Sequence, residues 1–429
     1  MAASLASVLP AIREHMHENV VDIFNLGDDA MKTMPFLASL ESKSMDDGAG
    51  RGYIIPITHS LPSTVGNLFA TVQTKAQGSV AGNSSVKDRW VIQHVTLEGV
   101  AVVDRAAILG AKDDDDLYDV VERATSDCTL AMRKRIAVQL PQAGWGTVGG
   151  VISGITSTTI DLPISVANRV DIGQDLVASL PSPPQALRSN TVSRVTGITL
   201  GTTTATLTLS VDPTSLSWAN GDVVYFNTDT DSVVGTPSTA RLSITGAGEW
   251  VPSTAPGATT LFGINRQNNP ATGGLRFSAS GFDHAQAFIH AANHLFVHGQ
   301  TRSDAAYCSG YDYAILCADK DATKSVEISI GKYNIGFEGV TVETMFGRMP
   351  IIPDATLQQG QAWMGPWKNK KYAPFLVHND DLINIDDLDG NTMLRLATAT
   401  SYEMRMYFRG NLAWPAPGKF LTLHTLPSA

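Results

Sequence analysis

Three histidines, His290, His294 and His298, stand four residues apart in one stretch, with His284 a turn and a half earlier. On a helix they share a face, and two imidazoles at i and i+4 can hold a zinc ion. The glutamate that a zinc hydrolase places directly after the first histidine is missing, because Ala291 follows His290. A histidine-lined packing or interface face is therefore preferred over a metal centre. A second group, Asp380, Asp381, Asp386, Asp387 and Asp389 with Gly390, has the composition of a calcium loop. It lacks the alternating ligand spacing and the closing glutamate, and turn chemistry accounts for it. Gly144, Gly146 and Gly149 have dinucleotide-fingerprint spacing but follow a helix, where the fingerprint must follow a strand and open one. No nucleophile elbow and no P-loop occur, and neither Cys308 nor Cys317 has a histidine beside it. No catalytic, cofactor-binding or metal residue is assigned, and the chain is not expected to be an enzyme.

Composition narrows the classes further. The formal charge is −10 and no basic tail occurs, so clustered phosphate contacts are not expected. Three widely spaced cysteines do not make a disulfide framework and fit a reducing compartment. Neither a signal peptide nor an apolar membrane-spanning stretch is evident.

The elements that must position these residues follow in order. Leu9, Ile12 and Met16 recur at three- and four-residue steps and predict a helical arm within residues 1–50. Strands at 53–57 and 90–95 flank a polar, glycine-rich excursion over 58–88, in which Leu68, Phe69 and Val72 are the stranded apolar residues. Asp113 to Asp116 cap a helix over 115–140, about 38 Å long. Its inner stripe is Leu117, Val120, Val121, Ala124, Cys128 and Ala131, and Arg133, Lys134 and Arg135 complement the macrodipole near its end. Pro141 and the glycines that follow stop it. Alternation at Ala205–Leu209 and the Asn220-Gly221-Asp222 turn predict a small antiparallel barrel or sandwich over 165–235. A second helix spans 283–299, with Asp283 as N-cap and Gly299 as stop. Strands return to the end, Met404, Met406 and Phe408 alternating with Glu403, Arg405 and Arg409.

This order resembles the tailed-bacteriophage major capsid proteins of the Hong Kong 97-like fold. Local patterns that look like the family are Leu97-Glu98-Gly99-Val100-Ala101-Val102, the helix ending in Leu140 and Gly144 to Gly150, Leu261 to Arg266 with Gly273-Gly274-Leu275, Phe346 to Asp354, and Arg409-Gly410-Asn411-Leu412. The resemblance implies an α+β chain. It has an N-terminal arm (1–50), an E-loop region (51–103) and a peripheral domain with the spine helix (104–164). An inserted β domain (165–235), an axial domain (236–340) and peripheral return strands with the C-terminus (341–429) complete it.

The same resemblance implies a homo-oligomer of hexamers and pentamers, a virion shell assembled in the host cytoplasm around double-stranded DNA without sequence-specific contacts. Scaffolding, portal and decoration proteins are the implied partners; a membrane and a cofactor are not. Assembly contacts are expected at Leu9, Ile12 and Met16 in the arm and at Leu68, Phe69 and Val72 in the E-loop. Some relatives crosslink Lys to Asn between subunits, and Lys75 and Lys87 lie in the presumed E-loop without an assignable partner; no crosslink is expected. The alternatives are an encapsulin-like nanocompartment shell, a zinc-dependent β-rich hydrolase using the His290/His294/His298 face, and another virion part such as a cement or tail protein.

Overall fold

The computed structural model describes residues 34–44, 52–58, 87–104, 114–180, 186–230, 232–237, 241–258, 260–318, 340–378, 383–385, 394–395 and 401–427, with the side chains of 44, 104, 114–122 and 395 excepted. The main elements begin with β1 (Tyr53–Thr58), β2 (Lys87–Ile92), β3 (Val95–Asp104) and α1 (Asp114–Gln139). Then come β4 (Thr147–Val151), β5 (Gly154–Ile155), β6 (Thr159–Pro163), α2 (Ile164–Ala167), β7 (Asp175–Ser179), β8 (Ser193–Leu200), β9 (Thr204–Leu209) and β10 (Val223–Phe226). The rest are β11 (Leu275–Ser278), α3 (His284–Gly299), β12 (Ala305–Ser309), α4 (Gly310–Ala318), β13 (Thr341–Thr344), β14 (Gly347–Asp354), β15 (Gln361–Gly365), β16 (Ser401–Ala413) and β17 (Leu421–His424). Helices and strands mix throughout, which makes the chain α+β. Two compact units form, one from 1–46, 95–246 and 378–410, the other from 47–94, 247–377 and 411–429.

In the first unit α1 lies on a sheet. β3 and β16 pair antiparallel from Ser401↔Asp104 to Gly410↔Val95. Gly99 leaves room for the helix, since a Cβ there would meet the sulfurs of Met132 and Cys128 at 2.7 and 2.9 Å. The buried stripe in the second half of α1 is Met132, Ile136 and Ala137, with Val138 and Leu140 beside it, whereas Ala131 is exposed. The expected stripe drifted because 3.6 residues per turn carries a 3/4 repeat around the helix; the side chains of Leu117, Val120 and Val121 lie outside the described residues. Lys134 and Arg135 fall short of the last turn of α1, where the dipole acts, and are engaged by ion pairs instead. Lys134 pairs with Asp171 at 2.6 Å, and Arg135 reaches the buried Asp229 at 3.3 Å and covers the Phe226 ring.

Beyond the helix a seven-stranded antiparallel sheet runs in the order β4-β10-β7-β8-β9-β6-β5. Its first and last strands are one bent stretch of chain. At the bend Ile152 donates to the Asp222 carbonyl on one side and Ser153 to that of Asp161 on the other, both at 2.9 Å. The sheet thus closes into a barrel with no long free edge. Ile160, Leu162, Val166, Leu176, Leu207 and Val224 fill it. The barrel begins at Thr147, earlier than the 165 expected, because Thr147-Val148-Gly149-Gly150 reads as a glycine turn while its alternate residues point inward. The turn at Asn220-Gly221-Asp222 is pinned by a buried carboxylate: Arg188 donates to both Asp222 oxygens at 2.7 and 2.9 Å.

In the second unit a mixed six-stranded sheet runs β11-β17-β15-β12-β14-β13. α3 covers it through Ala285, Phe288, Ala291, Ala292 and Leu295, against Ala306, Met349, Ile351, Ala362 and Leu421. Phe346–Asp354 therefore does not return to the sheet under α1, and 341–377 groups with 247–340 rather than forming a separate return segment. Parallel pairing of β14 with β12, Ala306↔Ile351 to Ser309↔Asp354, decides this. Such pairing leaves no local sequence mark.

Gln139, buried at the end of α1, donates to Asp229 at 2.9 Å and accepts from the Ile244 amide at 3.1 Å. Gln139→Ala would leave the Ile244 amide without its acceptor, at a cost of about 1–3 kcal/mol, and take one donor from Asp229, which keeps Arg135 and Thr228. The first urea transition should shift to lower concentration, and an unchanged midpoint would remove this junction from the list of stabilising contacts.

Candidate functional site

The expected loop has a well-defined base. β1 and β2 form a two-stranded ribbon in register Tyr53↔Ile92 through Thr58↔Lys87, so residues 59–86 leave and return between a bonded pair of strand ends. Gly52 is required at its foot, with φ +88° and a Cβ position only 2.1 Å from the Ile92 carbonyl oxygen. Trp90, fully buried, packs edge-on against Trp250 at 5.0 Å, and Tyr53 against Phe375 at 5.7 Å. Trp90 to Val95 is not one strand. The chain breaks at Gln93-His94, where Asn411 takes the Gln93 carbonyl at 2.8 Å, and β3 starts afresh. Leu9, Ile12, Met16, Leu68, Phe69, Val72 and Lys75 all lie outside the described residues, as does the aspartate group from Asp380 to Asp389. Lys87 is exposed at the start of β2.

The histidine face divides in two. His294 and His298 bring their rings to 4.4 Å, while His290 lies against Phe282 at 4.7 Å. Phe277 stands between the two groups, 5.7 Å from His294 and 5.8 Å from Phe282. Among the described residues no three His, Cys, Asp or Glu side chains gather as a metal site. His284 is separate again, buried and 3.7 Å from the buried Asp312 carboxylate. Asp283 sits at the N-cap of α3 without a side-chain cap bond, and Gln300, at φ +49°, ends the helix in place of Gly299. Gly299 serves packing instead, with Leu275 and Leu295 3.0 Å from where a Cβ would be.

Gly144 to Gly149 also serve packing. Gly146 approaches the Asp229 carbonyl, and a Cβ at Gly149 would strike the Arg169 guanidinium. β4 follows this loop with no helix behind it, which removes the phosphate reading. The cysteines are all free. Burial and the nearby Asp312, Cys317 and Asp354 push the Cys308 thiol far up, the opposite of nucleophile activation.

One feature escaped sequence reading. α3 is apolar on its outer side too: Ile289, Phe296 and Val297 are exposed. Phe296 stacks on Phe346 with ring centroids 4.0 Å apart, beside the exposed Met345, and Arg302 covers the same ring. In sequence these residues look like core. The signal that could have found them is that apolar positions in 283–299 exceed one helical stripe.

No protein-family model matches the chain, and no curated protein matches it. Solved structures similar to it include "Capsid of native GTA particle computed with C5 symmetry", at 7% identity and TM-score 0.46, covering 100% of this chain and 99% of that one. Another is "Cyanophage A-1(L) capsid asymmetric unit", at 10% identity and TM-score 0.45, covering 92% of each chain. A third is the holo-SrpI encapsulin complex from Synechococcus elongatus PCC 7942, at 7% identity and TM-score 0.45, covering 98% of this chain and 94% of that one. No described helix is long and apolar enough to cross a membrane.

Burial, then the neighbouring His298, hold the His294 imidazolium below its ordinary range; burial and Arg276 do the same to His424. The unfolded chain therefore takes up these protons first as pH falls through about 6.5. This part of the stability is present above that pH and is lost below it. Urea midpoints measured from neutral to mildly acidic pH should fall, and His294→Gln should lessen the fall. An equal fall in the variant would place the acid sensitivity elsewhere.

Proposed function

We propose that this chain is the major capsid subunit of a tailed-phage-type virion, a non-enzymatic building block of an icosahedral shell around double-stranded DNA. The observation that carries the reading is the anchored β1–β2 ribbon followed by the long helix α1 on its β3–β16 sheet. That is the element order which the sequence resemblance to Hong Kong 97-like capsid proteins implies. A buried tryptophan foot and a bonded register give residues 59–86 a rigid base from which to reach a neighbouring copy. The outward apolar face of α3 supports the same reading, because exposed clustered apolar side chains are costly in water and mark contact surfaces. Copies of the chain would cover it in hexamers and pentamers, where many modest contacts add through closed symmetry. Leu9, Ile12, Met16, Leu68, Phe69 and Val72 remain the proposed contacts of arm and loop. Scaffolding, portal and decoration proteins are the proposed partners, and assembly is assigned to the host cytoplasm.

Electron microscopy of the protein expressed alone, and again with the neighbouring gene products, should show closed shells or curved sheets, and nuclease-protected DNA should accompany particles made in the host. Val297→Glu, at a position 58% exposed, should abolish assembly while leaving the unfolding midpoint of the free subunit within about 0.5 kcal/mol of the parent. Particles indistinguishable from the parent would remove α3 from the contact surface, and failure of every preparation to assemble would remove the shell reading.

A further inference from the structure

The strongest feature left unused by a shell subunit is the ring pair at the C-terminal end of α3. His294 and His298 lie one turn apart with centroids 4.4 Å apart and an interplanar angle of 44°. The buried Nδ1 of His294 has no hydrogen-bond partner. Two imidazoles on adjacent turns of a helix that is packed along its length need no backbone rearrangement to face one ion. The half-buried Phe277 ring lies 5.7 Å from that of His294, and His298 is exposed. Lys419 Nζ donates to the Gly299 carbonyl at 2.7 Å, just beyond His298.

We propose that His294 and His298 form a binding site for an imidazole-seeking divalent transition-metal ion of the zinc, nickel or copper class. Nitrogen donors without a carboxylate favour these ions over magnesium and calcium, which seek oxygen. With no third protein donor among the described residues, water completes the coordination, so the ion braces the end of α3 and does not form a closed structural centre. The inference is independent of the shell reading.

Isothermal titration of the full chain with zinc chloride, repeated with nickel and magnesium chloride, tests it. The parent should bind one zinc or nickel ion per chain at the site and give no comparable heat with magnesium. His298→Gln, at an exposed position, should weaken that binding by more than the roughly 10–100-fold that loss of a mere supporting group typically costs. His290→Gln, on the same helix but paired with Phe282, should leave binding unchanged and controls for nonspecific histidine contacts. Unchanged affinity in His298→Gln, equal loss in His290→Gln, or no saturable binding by the parent would each overturn the assignment. Should His294→Gln alter the melting profile, His298→Gln decides alone.

Discussion

The buried carboxylate of Asp229 is the constraint on which the first unit depends. It is almost wholly removed from water, and a bare charge there would cost several kcal/mol. Gln139 and Arg135, both from the last turns of α1, bring donors to it, and the backbone of Gly146 closes over its carbonyl. Helix end, glycine loop and barrel therefore meet at one point and are specified together. Gly246 completes the junction: a Cβ there would sit 1.9 Å from the Leu140 carbonyl oxygen, so no other residue lets the chain pass the helix end.

The second unit is held differently. Its sheet is buried on both sides, α3 covering one through small residues and an aromatic cluster of Tyr307, Trp367, Trp414 and Phe420 forming elsewhere in the unit. Gly365 admits the Phe420 ring, which lies about where a side chain would otherwise begin. Tight packing of this kind transmits little slack, so the ribbon that carries residues 59–86 stands on a stiff base. Asp222, Asp229 and Asp312 each accept hydrogen bonds, which order a turn, the end of α1 and the start of α4 respectively.

Much of the fold was legible in the residues. The long helix, the second helix, the paired strands around a polar excursion and the alternating barrel strands all carry local periodicity, and local periodicity survives into the structure because burial acts on one face at a time.

What the sequence by itself determined was the kind and order of the main described elements, because each carries its own local periodicity. What only the tertiary structure decided was which segments are neighbours: that the barrel closes through a bent strand starting at Thr147, that Phe346–Asp354 lies beside Ala305–Ser309, and that His298 meets His294 while His290 meets Phe282. The apolar outer face of α3 belongs with these. Side-chain hydrophobicity is a property of the residue, but whether it faces a core or the solvent depends on partners far away in the chain, and those pairings leave no periodic trace.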